Sequence, residues 1–144
     1  MKSFGQRDDT LIYAPRKGAY AIIQNTENQF LVVESPDKEL FLVGGGIEGE
    51  ETPIEALHRE TLEETGYTIQ IEQNLGEAEK HFVSWRYPTL SQHNIGYFYV
   101  CSLEEKIAEP IETEPMKWVT LDKLESHLFH EHHLYMVKKA LQNI

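Results

Sequence analysis

Cysteine is almost absent. Cys101 is the single one in 144 residues, so no internal disulfide can form, and a lone thiol within an apolar strand reads as buried and inert rather than nucleophilic. Long hydrophobic runs are missing too. No stretch approaches the roughly 20 apolar residues of a membrane-spanning helix, and MKSFGQRDDT at the start lacks a secretory-type apolar segment. The expectation is a cytoplasmic chain with no membrane partner. Positive charge is scarce: 13 Lys and Arg face 24 Asp and Glu, for a formal net charge of -11. That balance opposes the counterion release that drives binding to polymeric nucleic acid. A small anionic ligand stays open if a cation mediates the contact. Repeats, low-complexity tracts and long linkers are also lacking, so residues 1–144 read as one domain, long enough to bury a core unaided.

What is present alternates between strand and helix signals. Residues 19–23 and 30–33 are β-rich and flank a polar turn, while 40–43 form a third strand expected to end at Gly44-Gly45-Gly46. Thr52-Pro53-Ile54-Glu55 predicts a helix start, with Thr52 as N-cap, Pro53 at the first helical position and Glu55 closing a capping box. Gly66 supplies its stop. Residues 67–73 and 96–101 predict further strands, and Trp85-Arg86-Tyr87-Pro88 a hairpin tip or loop. Trp118-Val119 predicts the last strand, and residues 121–128 and 133–141 two short helices. The class is α/β, or α+β by some schemes, with a sheet covered by helices.

One octapeptide, RETLEETG at 59–66, works against helix electrostatics. Glu60, Glu63 and Glu64 lie at i, i+3 and i+4 in the second half of the predicted helix, where the dipole disfavours anions and neighbouring acids repel. On the opposite side Ile54, Leu57 and Thr61 predict a packing face, and Ala56 leaves space beside the acids. Most Glu-rich helices simply present a solvated face. Here the acids follow a glycine-rich turn that can bring backbone carbonyls close, and a divalent cation would turn their repulsion into ligation. Carboxylate and carbonyl oxygens suit Mg²⁺ or Mn²⁺, and Mg²⁺ completes its shell with waters and substrate phosphates.

The stretch from Gly45 to Tyr67 resembles the Nudix box, G-x5-E-x7-R-E-U-x-E-E-x-G-U with U a bulky aliphatic residue. Gly45, Glu51, Arg59, Glu60, Glu63, Glu64 and Gly66 match at the required spacing. Thr61 and Tyr67 stand in place of aliphatics, and Val43 where many members have proline. The resemblance implies an α-β-α sandwich with a mixed sheet that hydrolyses nucleoside diphosphates linked to another group, using Mg²⁺ or Mn²⁺. By position it makes Glu60 and Glu64 the principal metal ligands, Glu63 a further ligand or the base that deprotonates water, and the Gly45 carbonyl a completing ligand. Arg59 would orient acids, Glu51 and a box glutamate among them. Family members often recruit one more acid from outside the box, and Glu112 is the favoured candidate, followed by Glu114 and Glu79. The resemblance also implies a nucleotide-like small-molecule substrate, and related proteins are often homodimers, a state this composition leaves open. The alternative is a nucleotide-sensing regulatory domain without turnover.

Substrate recognition is less defined. Trp85, Tyr87 and Tyr97 could stack on a nucleobase, and Arg16 could meet terminal phosphates. Alternation equally lets Tyr97 and Tyr99 pack in a core. His127, His130, His132 and His133 lack the spacing of a zinc motif and are expected to cap helix ends as polar surface residues.

Overall fold

The computed structural model describes residues 1–112 and 114–142. Seven strands form one mixed sheet: β1 (Lys2–Phe4), β2 (Ile12–Ile23), β3 (Phe30–Glu34), β4 (Leu40–Gly46), β5 (Tyr67–Phe82), β6 (Leu90–Lys106) and β7 (Met116–Val119). Their order is β1-β5-β6-β2-β4-β3-β7. The β2–β6 and β1–β5 pairs are parallel and the remainder antiparallel. Helix α1 (Pro53–Thr65) packs on β4, β2 and β5, while α3 (Glu131–Gln142) packs on β5, β1 and β6, and α2 (Leu121–His127) precedes it. The α1-side cluster holds Ala19, Ala21, Val43, Ala56, Leu57 and Tyr99. A second cluster joins Phe98, Leu42 and Val32 to Leu124, Met136 and Val137. Each fully buried aliphatic or aromatic side chain contributes about 1.5–3 kcal/mol. The result is the expected sheet with helices on both faces.

Every predicted strand runs longer than expected, β2, β4, β5 and β6 the most, with β2 beginning at Ile12. β4 continues through the glycines, pairing Gly44, Gly45 and Gly46 with Tyr20, Ala19 and Gly18. A Cβ on Gly44 would stand 2.1 Å from the Ala19 carbonyl oxygen, and its φ is +137°, so glycine lets this strand lie flat against β2. β5 and β6 form a long hairpin with three register shifts. Gln73 and Asn74 belong to β5 because their backbone pairs with Val100 and Tyr99 whatever their side chains prefer, with Glu72 at a register shift beside them. Trp85 to Pro88 lie in the loop joining the two strands. The expected packing face of α1 is rotated: Ala56 is fully buried beside Leu57 and Thr61, and Ile54 is left exposed.

Candidate active site

The start of α1 is built as its sequence predicts. Thr52 Oγ1 accepts from the Glu55 N–H at 3.1 Å, and Glu55 returns the bond to the Thr52 N–H at 3.0 Å. The other end is fastened by a distant loop. Gly66 adopts φ +78° and donates its N–H to the Leu62 carbonyl at 2.8 Å. The N–H groups of Ile107 and Ala108 then bind the Gly66 carbonyl, and those of Ile111 and Glu112 bind the Glu63 carbonyl at 2.9 and 3.2 Å. These bonds satisfy carbonyls that a helix end leaves open, and they deliver Glu112 to the acidic face.

There, carboxylate oxygens of Glu60, Glu63 and Glu112 lie within 4.8 Å of one another. Arg59 ties the group together. Its Nε and Nη2 donate to Glu51 at 2.7 and 2.9 Å, its Nη1 to Glu60 at 3.0 Å and Glu63 at 3.4 Å, and its Nη2 also to the Gly46 carbonyl at 3.0 Å. The Arg59 bonds, aided by the Glu48 N–H, hold the Glu51 carboxyl down at about 2. Burial instead raises Glu60 above the usual carboxylate range, against the pull of Arg59. Glu64 accepts from the Gly44 N–H at 2.7 Å. Burial pushes its carboxyl up to about 8. A Cβ on Gly45 would sit 2.6 Å from the Glu60 carboxylate, so only glycine lets this acid rest against the β4 backbone.

Three hard-oxygen donors within one ion's reach suit Mg²⁺ or Mn²⁺ in charge and ligand type. Two concavities adjoin the acids. The larger, about 750 Å³, runs from Gly44, Gly45 and Glu64 across the α3 side of the sheet, and Glu60 faces a smaller one of about 530 Å³. Arg16 lines both, and among the described residues it makes no salt bridge. Trp85 and Tyr87 line the larger cavity. Tyr97 does not, because alternation turns it to the α1 face, where it packs beside Tyr99. Sequence reasoning missed Gln92 and Asn94 on the cavity wall. The period-two pattern of β6 together with the Asn94–Arg16 register carries the signal that would have found them.

The histidines correct an expectation. His130, His132 and His133 are buried, at 9%, 0% and 1% exposure, among Tyr20, Phe98 and Phe129. Burial holds all three below the ordinary imidazole value. They are neutral wall and core rather than polar caps, because tertiary packing of α3 overrides their local polarity. Cys101 is buried and its thiol pushed up to about 12, which leaves no thiolate for chemistry.

A NUDIX domain profile matches residues 14–140. A Bacillus subtilis (strain 168) protein provisionally named 8-oxo-dGTP diphosphatase is 30% identical over 109 residues, covering 75% of this chain and 68% of the relative. Nudix hydrolase 4 of Arabidopsis thaliana is 32% identical over 98 residues, which is 65% of this chain and 44% of the plant protein. Among solved structures, a NUDIX hydrolase from Nitrosomonas europaea superposes with a TM-score of 0.72 over 90% of each chain at 18% identity, a likeness of fold.

Proposed function

The chain belongs to the Nudix family of pyrophosphohydrolases, and from that premise we propose that it hydrolyses a pyrophosphate bond in a nucleoside diphosphate linked to a further group, with Mg²⁺ or Mn²⁺ at the acidic face of α1. The observation that carries this reading is the convergence of Glu60 and Glu63 with Glu112, from a separate loop, beside concavities that share Arg16. Glu60, Glu63 and Glu112 hold the cation, with Glu64 and the Gly45 backbone bordering it. When bound, a divalent ion neutralises phosphate charge and lowers the pKa of water.

The chain's own residues do the rest. Arg59 locks Glu51, Glu60 and Glu63 in place, the outer support that metal ligands need. Glu63, whose side chain is 30% exposed against 15% for Glu60, is the box acid best open to water and accepts its proton. Arg16 binds a terminal phosphate by charge-assisted hydrogen bonds. The nucleoside end occupies the larger cavity, its base stacking on Trp85 or Tyr87 and meeting the amides of Gln92 and Asn94. An oxidised or unmodified nucleoside triphosphate fits this division, as does a nucleotide joined to a sugar. Within the same reading, residues 1–144 act as one cytoplasmic domain, singly or as a homodimer, and sedimentation would distinguish these states. No helix among the described residues is long and apolar enough to cross a membrane.

The test is a product-resolved screen of nucleoside diphosphate derivatives with Mg²⁺ or Mn²⁺, run beside Glu63→Gln. Turnover in the wild type that collapses in the variant supports the reading. Tight nucleotide binding with no turnover of any compound would instead identify a sensor.

A further inference from the structure

Two and three strands away from Gly45, on β6 and β5, lies a cluster that the hydrolytic reading does not use. His81 and His93 are direct cross-strand partners. Their rings stack with centroids 4.0 Å apart and planes 14° from parallel. His93 Nε2 is 2.6 Å from a Glu79 carboxylate oxygen and its Nδ1 is 2.5 Å from the Tyr13 hydroxyl. The side chains of His93 and Glu79 are only 11% and 17% exposed. His81 Nδ1 is buried with no hydrogen-bond partner among the described residues. One ring nitrogen from each histidine and one Glu79 oxygen lie within 4.8 Å of one another.

We propose that Glu79, His81 and His93 form a second metal site, selective for a borderline transition-metal dication such as Zn²⁺ or Co²⁺ and separate from the oxygen-only site on α1. Two imidazoles and a carboxylate are the donors such ions favour, whereas Mg²⁺ prefers oxygen alone. Three protein ligands leave a fourth position for water. The ion takes the place of the proton between His93 Nε2 and Glu79. That proton leaves Nε2, the ring is then protonated on Nδ1, and Nδ1–H donates to the Tyr13 oxygen. Tyr13 thereby fixes tautomer and ring orientation, the service that an outer partner gives a metal-bound histidine. Because the in-plane lone pairs of parallel stacked rings cannot meet one ion, ligation turns the His81 ring out of its stack on His93 and gives one of its nitrogens a partner.

The site would clasp the edge of the sheet. β1 pairs with residues 78–80 of β5, placing Ser3 opposite Glu79, and Tyr13 comes from the start of β2. A bound ion therefore joins β2, β5 and β6 through side chains and steadies β1 through its neighbour.

Wild-type protein saturated with Mg²⁺, so that the α1 acids are occupied, is titrated with Zn²⁺ while the imidazole nitrogens are followed by ¹H–¹⁵N NMR. The His93 Nε2 and one His81 nitrogen should shift first, before those of exposed His58 and His127. Unmoved His81 and His93 signals at several equivalents of Zn²⁺ would overturn the proposal. In parallel, Co²⁺ should give a visible absorption band typical of four- or five-coordination, retained in Glu63→Gln and lost in His81→Gln. Tyr13→Phe should weaken binding about tenfold. A band retained in His81→Gln and lost in Glu63→Gln would place the metal on α1 and refute the second site.

Discussion

The backbone N–H of Glu112 donates to the carbonyl of Glu63 at 3.2 Å, and the carboxylates of the same two residues converge with that of Glu60. One hydrogen bond thus closes the end of a helix and carries an acid from a distant loop to the helix face. Stability and function share this joint.

Gly66→Ala should break the joint. A Cβ there would stand 2.0 Å from the Ala108 carbonyl oxygen, at a φ of +78° that side chains avoid. The loss of stability should be at least about 1 kcal/mol, read by urea denaturation. Metal affinity should fall as well, because the 107–112 loop must move away from α1. Unchanged stability and affinity would contradict this view of the loop.

Arg16→Ala should act on binding. Arg16 touches both concavities and makes no salt bridge among the described residues, so its removal disturbs no ion pair there. Loss of a charge-assisted bond worth about 1.5–3 kcal/mol should raise KM by roughly tenfold or more. Steady-state kinetics would show the effect, and a fall in kcat with KM unchanged would argue against a phosphate contact.

The ordering of the acids should be visible in acid denaturation. Glu51, at about 2, lies below the ordinary glutamate value of 4.5 because Arg59 and the Glu48 N–H bind its carboxylate. A carboxyl depressed in the folded state stabilises fully above 4.5 and progressively less as pH falls through about 2. Urea midpoints of the wild type and Glu51→Gln should therefore differ above pH 4.5 and converge toward pH 2. A constant gap across that range would contradict the pairing.

Thr61 sits where the family motif carries an aliphatic residue. It is 0% exposed, and its Oγ1 has no partner among the described residues. Thr61→Val should raise stability by about 1 kcal/mol, seen as a Tm increase of roughly 3 °C. A decrease would mean that the hydroxyl has a partner.

Legibility followed the range of the interactions. The caps of α1 and the acids on it depend on residues three or four apart, and the sequence carries them openly. The approach of Glu112 to Glu63 spans a turn of the fold that no local pattern encodes, and only the family resemblance suggested Glu112. Ala56 and Ile54 exchanged roles because helical periodicity sets angles between residues without saying which arc the sheet covers. β5 was cut short after Gln73 because side-chain propensity speaks less strongly than a paired backbone. His132 and His133 read as surface residues until Tyr20 and Phe98 closed around them.

The most direct test of the account is an anomalous-difference map from crystals soaked in Mn²⁺. A peak coordinated by oxygens of Glu60, Glu63 and Glu112, absent from an isomorphous Glu112→Gln crystal, is the predicted result. Mn²⁺ bound elsewhere in the wild type, with Glu60 and Glu63 still tied to Arg59 and no metal on Glu112, would contradict it.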